Sequence, residues 1–100
     1  MKQIDPIERL NEMKAVLEDV LHRMFAKEYK VTLTKDNSIL IDNWIDIALT
    51  DDGDEWIVGH WVETIGTYKD YTAAIKAAIM LILQQRLDDY FVYIYERENA

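Results

Sequence analysis

The chain of 100 residues lacks several residue types on which enzymes and metalloproteins depend. It has no cysteine, which excludes disulfides and thiolate chemistry and fits a reducing cytoplasm. Serine occurs once, at Ser38, and neither His22 nor His60 has a partner at a spacing typical of a metal site or a catalytic pair. No catalytic, metal or nucleotide motif is present. We therefore expect no enzymatic activity, no cofactor and no metal.

Long apolar segments are also missing. The longest apolar run, Ala77–Leu83, is too short to span a bilayer, and Met1–Glu12 lacks the apolar core of a signal peptide. Half of the residues are nevertheless hydrophobic, and 11% are aromatic, so the chain can bury a core without disulfides. These features predict a single small α+β domain over residues 1–100 in a cytoplasmic protein.

Basic residues are absent from one long segment. Residues 36–66 contain eight Asp or Glu and no Lys or Arg, so the formal charge of this segment, −8, equals that of the whole chain. A field of this sign repels phosphate groups. Direct binding to nucleic acid or to an anionic membrane is therefore not expected, whereas a protein partner with a basic surface is.

The densest part of that segment, Asp51–Glu55, raises the question of a calcium site, because hard cations bind several carboxylate oxygens. The spacing differs from an EF-hand loop, which needs acids at alternate positions, a glycine at the sixth and a glutamate at the twelfth. A hairpin turn around Gly53 is the better interpretation.

Helix signals flank the acidic segment. Asp5 is a typical N-cap before Pro6, and an apolar stripe from Ile7 to Met24 predicts a helix to about residue 27. Asp70 is the second N-cap, and the apolar spacing from Tyr71 to Leu83 predicts the second helix.

Three strands are predicted between the helices from alternating apolar residues and from turn residues: Tyr29–Thr34, Ile39–Thr50 and Trp56–Ile65, with Gly66 closing the last. Within them, Asn43 breaks the alternation and indicates a bulge or a twist, and Gly59 indicates a bulge or a close backbone approach.

The C-terminal segment has two interpretations. Leu87, Tyr90, Phe91 and Ile94 continue a helical spacing, yet Tyr90–Tyr95 is an unbroken aromatic and β-branched run of the kind found in strands. The predicted fold is therefore α+β: an N-terminal helix, a three-stranded antiparallel meander, a C-terminal helix packed on one sheet face, and a possible fourth strand at the C-terminus.

The free sheet face is the predicted binding surface. We expect Asp42, Trp44 and Asp46 to lie on it beside residues of the third strand, because an indole among carboxylates is a common interface anchor. The predicted partner-binding residues are Asp42, Trp44, Asp46, Asp51, Asp52, Asp54, Glu55, Trp61 and Glu63.

In size, acidity and helix–meander–helix order, the chain resembles the small acidic inhibitors made by phages and mobile elements, including anti-CRISPR proteins and DNA mimics. This resemblance implies a binding protein that occupies a basic surface of a nucleic-acid-binding protein. No motif carries the resemblance, so it assigns no residue a role.

Two alternatives stay open. The excess apolar surface of the C-terminal segment fits a homo-oligomeric structural or assembly subunit, such as a homodimer, in which Met80, Leu81, Tyr90, Phe91 and Tyr93 make a self-contact. The acidity alone equally fits a toxin-immunity protein.

Overall fold

The computed structural model describes residues 5–26, 28–60 and 63–98. Its elements, in chain order, are α1 (Pro6–Phe25), β1 (Val31–Leu33), β2 (Ser38–Ile41), β3 (Ile45–Leu49), β4 (Trp56–His60), β5 (Glu63–Tyr68) and α2 (Tyr71–Glu98). The strands form one antiparallel sheet in sequence order, so the sheet is a meander. The α+β class is confirmed, but the predicted number of strands is wrong, since the described sheet has five.

Both helices begin at the predicted caps. The Ile7 amide donates to the Asp5 carboxylate at 2.9 Å, and the Thr72 amide donates to the Asp70 carboxylate at 3.0 Å. Each bond satisfies an amide that has no partner within its own helix, which fixes where the helix starts.

The core lies between the sheet and the two helices. α1 covers β1, β2 and β3, and α2 covers β4 and β5. The fully buried side chains that meet there include Leu10, Met13, Leu17 and Leu21 from α1, Ala74, Ala78 and Ile82 from α2, and Ile39, Ile41, Ile45, Ile47 and Val58 from the sheet. Each large apolar side chain stabilises the fold by about 1.5–3 kcal/mol.

The predicted single strand Ile39–Thr50 is wrong, because the chain reverses in its middle. Asp42 and Asn43 have φ values of 49° and 63°, and the Trp44 amide donates to the Ile41 carbonyl at 3.2 Å. Positive φ at both central residues is the signature of a type I′ hairpin turn. β2 and β3 are therefore the two arms of a hairpin, and Asn43 marks its turn.

The predicted third strand, Trp56–Ile65, is also two strands. β4 ends at His60 and β5 runs from Glu63 to Tyr68, with Gly66 inside β5 instead of closing it. The β4–β5 register shifts beside Gly59, where an added Cβ would lie 2.7 Å from the Glu63 carbonyl oxygen. The predicted close backbone approach at Gly59 is confirmed.

The C-terminal segment is helical. α2 continues without interruption to Glu98, so the possible fourth strand at the C-terminus is wrong. Neither described helix combines the length and the apolar character that crossing a bilayer requires.

Candidate interaction site

The acidic residues in the turns of the meander lie at two opposite ends of the sheet. The β1–β2 turn and the β3–β4 turn lie at one end, and the β2–β3 and β4–β5 connections lie at the other. We call the end with the β1–β2 and β3–β4 turns the acidic end, because these two turns carry Asp36, Asp51, Asp52, Asp54 and Glu55. Both helices also begin there, so their positive dipole ends favour these carboxylates.

The β3–β4 turn is held in one conformation by its own hydrogen bonds. The Thr50 amide donates to the Glu55 carbonyl at 2.9 Å, and the Gly53 amide donates to the Thr50 carbonyl at 2.8 Å. Gly53 has a φ of 72°, a left-handed conformation that favours glycine. Asp51, Asp52 and Asp54 are exposed on this ordered turn.

Asp52 differs from its neighbours because its carboxylate is used within the turn. It accepts hydrogen bonds from the Thr50 hydroxyl and from the Asp54 amide. Both bonds favour the charged form of the carboxyl group and so lower the pKa of Asp52 below its ordinary value. The bond from Thr50 has the larger effect, and the bond from Asp54 comes second. Asp52 therefore stays ionised and shapes the turn, while Asp51 and Asp54 project their charges outwards.

Arg9 links this turn to α1. Its guanidinium donates to the Gly53 carbonyl and lies over the Trp56 ring, 5.3 Å from the ring centroid. A cation in the first turn of a helix opposes the helix dipole, so Arg9 is out of place by local preference. Its hydrogen bond and its cation–π contact explain its position. Sequence reasoning found the acidic residues of this turn but missed Arg9, and its charge near the helix start is the signal that could have indicated it.

An apolar groove opens beside the same arginine. It has a volume of about 420 Å³ and is lined by Arg9, Glu12, Met13, Ala15, Val16, Trp56 and Tyr71. Trp56 is 2% exposed, and its indole N–H has no acceptor among the described residues. Tyr71, the first residue of α2, is 42% exposed at the rim. The groove thus places apolar surface directly beside the acidic β3–β4 turn.

The remaining predicted binding residues, as far as the structure describes them, do not share this site. Asp42 lies in the β2–β3 turn at the opposite end, where its carboxylate accepts from the Lys30 amide at 2.6 Å. Glu63 is at that end too, with a carboxylate oxygen 3.8 Å from His60 Nε2. Trp61 lies outside the described residues.

The expectation that Asp42, Trp44 and Asp46 share the free sheet face is wrong. Asp46 alone of the three lies on that face, opposite Gly59 and Leu40. Trp44 packs against the core and, with His60, lines a small cavity beside Leu81 of α2. The reason is the β2–β3 turn, which removes Asp42 and Trp44 from both strands, while the buried isoleucines on either side of it stay on the core face.

Among the residues that the structure describes, the free face is consequently not an acidic, tryptophan-bearing surface. Its centre carries Leu40, Ala48 and Ile57 around the single carboxylate of Asp46, with threonines at Thr32, Thr64 and Thr67 toward the edges. The described residues also contain no group of three or more His, Asp or Glu side chains arranged to hold a metal ion.

Comparison of the chain with protein-family models, with curated proteins and with solved structures found no match. The arrangement of the acidic end and the groove beside it therefore forms the basis for assigning a function.

Proposed function

We propose that the protein is a small acidic binding protein that uses the acidic end to occupy a basic surface of a protein partner. The observation that carries the proposal is the ordered β3–β4 turn, which projects Asp51 and Asp54 into solvent beside an apolar groove. Fixed carboxylates speed association with a basic surface, and an ordered turn loses little conformational freedom on binding.

The groove adds a source of affinity that charge alone lacks. Binding energy concentrates where an apolar side chain fills a desolvated pocket, with polar contacts around it. Here Met13 and Trp56 supply apolar lining and Glu12 a negative charge, while the one cation of the lining, Arg9, is engaged by the Gly53 carbonyl and the Trp56 ring. The matching partner surface is an aromatic or aliphatic side chain flanked by Lys and Arg.

This partner class includes nucleic-acid-binding proteins, whose basic surfaces normally meet phosphates. We therefore propose that the protein is an inhibitor of the kind made by phages and mobile elements. It would bind through a small contact area at the acidic end, and not through a long row of charges that imitates DNA. Asp42, Asp46 and Glu63 lie away from the acidic end, so they do not continue a row of charges from it.

The test is capture of partners from source-cell lysate on the tagged protein, followed by affinity measurement with the purified partner at several salt concentrations. Asp51→Lys with Asp54→Lys should weaken binding by about tenfold or more, because the new charges repel a basic surface. Asp52 is left unchanged, since it holds the turn together.

The matched control is Glu18→Lys with Asp19→Lys. These residues are exposed on the second half of α1, beside Lys30 and away from both the acidic end and α2, and the double change alters the net charge by the same amount. The control should bind within about twofold of the wild type. Equal affinity of all three proteins, or equal loss in both variants, would reject a localised acidic site.

A further inference from the structure

A second surface lies on α2, at the part of the helix that leaves the domain. α2 has 28 residues, and the last of its buried residues is Ile82. A helix of this length is about 42 Å long. The fold measures 62 Å along its longest axis but only 25 and 23 Å across, because the second half of α2 projects beyond the sheet.

A continuous apolar stripe runs from the anchored half of α2 into this projecting half. The outer stripe, as we call it, consists of Met80, Leu83, Leu87, Tyr90 and Ile94. The alternating three- and four-residue spacing is that of the a and d positions of a coiled coil. The stripe lies about 140° around the helix from the buried Ala78 and Ile82, at 3.6 residues per turn. It therefore faces away from the domain's own core.

The stripe is large enough to require an explanation. Met80 is 62% exposed, Leu87 56% and Tyr90 57%, and the flanking Phe91 is 62% exposed. Covering these side chains in two copies would bury roughly 1,000 Å² in total, which reaches the lower size limit of specific interfaces.

We propose that the outer stripe binds a second copy of this chain, with the two α2 helices antiparallel. An a/d seam is self-complementary, so a second copy supplies the matching surface. A membrane is a poor alternative, because anionic headgroups repel the acidic residues along the same helix half.

Charge selects the antiparallel orientation. From Tyr71 to Leu87, α2 has Lys76 and Arg86 and no acidic residue. From residue 88 to residue 98 it has four acidic residues and one base, Arg97. Parallel helices in register would place Glu96 and Glu98 of the two copies side by side, whereas antiparallel helices place them opposite the uncharged residues 79–81 of the other copy, one turn from its Lys76. In this arrangement Leu87 packs near Tyr90 of the second copy, and Leu83 near its Ile94.

Sedimentation equilibrium over a concentration series from about 1 to 200 µM tests the self-association. We expect a monomer–dimer equilibrium with a dimer of twice 11.8 kDa. Leu87→Glu should raise the dissociation constant by about tenfold or more, because it puts a charge into the seam. A wild-type protein that stays monomeric over the whole range overturns the proposal.

Val92→Glu is the matched control. Val92 is 56% exposed, as Leu87 is, and it lies on the same helix about 160° from the stripe. It should change the dissociation constant by less than about threefold. Equal weakening by both variants would show that helix-wide apolarity, and not the stripe, drives association. Circular dichroism and tryptophan fluorescence verify that each variant is folded.

The orientation has its own test, because the chain has no natural cysteine. Leu83→Cys and Ile94→Cys are made in separate proteins, which are mixed and oxidised. Antiparallel pairing should give mainly the mixed cross-linked dimer, since each new thiol meets the other position. Cross-links mainly between identical chains would overturn the antiparallel arrangement.

Discussion

At the scale of the residue, two adjacent side chains decide the topology of the sheet. Asp42 and Asn43 both have positive φ, which costs most L-residues roughly 1–2 kcal/mol but is tolerated by Asp and Asn. Asp42 also accepts the Lys30 amide, which ties the turn to the start of β1. These two residues therefore allow the chain to reverse direction between Ile39 and Thr50.

Substitutions at Asn43 should therefore report on the turn itself. Asn43→Val should destabilise the fold by about 1–2 kcal/mol, because a β-branched residue disfavours positive φ. Asn43→Gly should leave the free energy of unfolding unchanged or raise it by up to about 1 kcal/mol, since Asp-Gly is a preferred type I′ sequence. Urea unfolding followed by tryptophan fluorescence measures both. Similar stabilities for the two variants would contradict the role of the turn.

At the scale of the element, α2 is one helix with two different environments. Its first half is held by Ala74, Ala78 and Ile82 against β4 and β5. Further along the helix, Arg86 also contacts the rest of the domain, donating to the Glu28 carboxylate at 2.7 Å and to the Tyr29 hydroxyl at 3.2 Å. Of the residues beyond it, all but the half-buried Ile94 are exposed up to Glu98. A projecting helix segment with little buried apolar surface is marginally stable in water.

Removal of residues 90–100 should therefore leave the domain folded. We expect the free energy of unfolding of the monomer to change by less than about 1 kcal/mol, because no side chain described in the deleted segment, up to residue 98, belongs to the core. Helicity per residue in the full chain should rise with protein concentration, while that of the truncated chain should not. Circular dichroism at 222 nm measures both. A truncated chain that fails to fold would show that the projecting segment contributes to the domain.

At the scale of the whole molecule, the two proposed surfaces lie far apart. The acidic end is at the start of both helices, and the outer stripe extends beyond the opposite end of the sheet. An antiparallel dimer would therefore hold two acidic ends at its two extremities, where they repel each other least. Such a dimer would bind two copies of a basic partner.

The distance between the surfaces predicts that they act independently. Leu87→Glu should leave the intrinsic affinity of each acidic end for its partner within about twofold of the wild type. Asp51→Lys with Asp54→Lys should likewise leave the dimer dissociation constant within about threefold. Titration calorimetry of the partner and sedimentation of the free protein measure the two quantities separately. A change in both quantities from either variant would show that the sites are coupled.

Much of this molecule follows from local patterns in the sequence. The caps at Asp5 and Asp70 predict where both helices begin, since a carboxylate next to free amides acts within a few residues. The turn at Asp51–Asp54 is predicted correctly because glycine can take positive φ there. The segregation of charge is likewise a property of the sequence alone, as is the apolar spacing that continues to Ile94.

Tertiary structure decided what depends on contacts between distant residues. The alternation of apolar residues runs through Asp42–Trp44 almost without interruption, so only the pairing of β2 with β3 reveals the reversal. The aromatic run Tyr90–Tyr95 suits a strand by composition, but β5 is already the last strand of the sheet, and the run continues a helix anchored through Ile82. The charges of residues 36–66 were determined by the sequence. The fold decided that Asp51 and Asp54 share a surface from which Asp42 and Asp46 are absent, because the β3–β4 turn and the β2–β3 turn lie at opposite ends of the sheet.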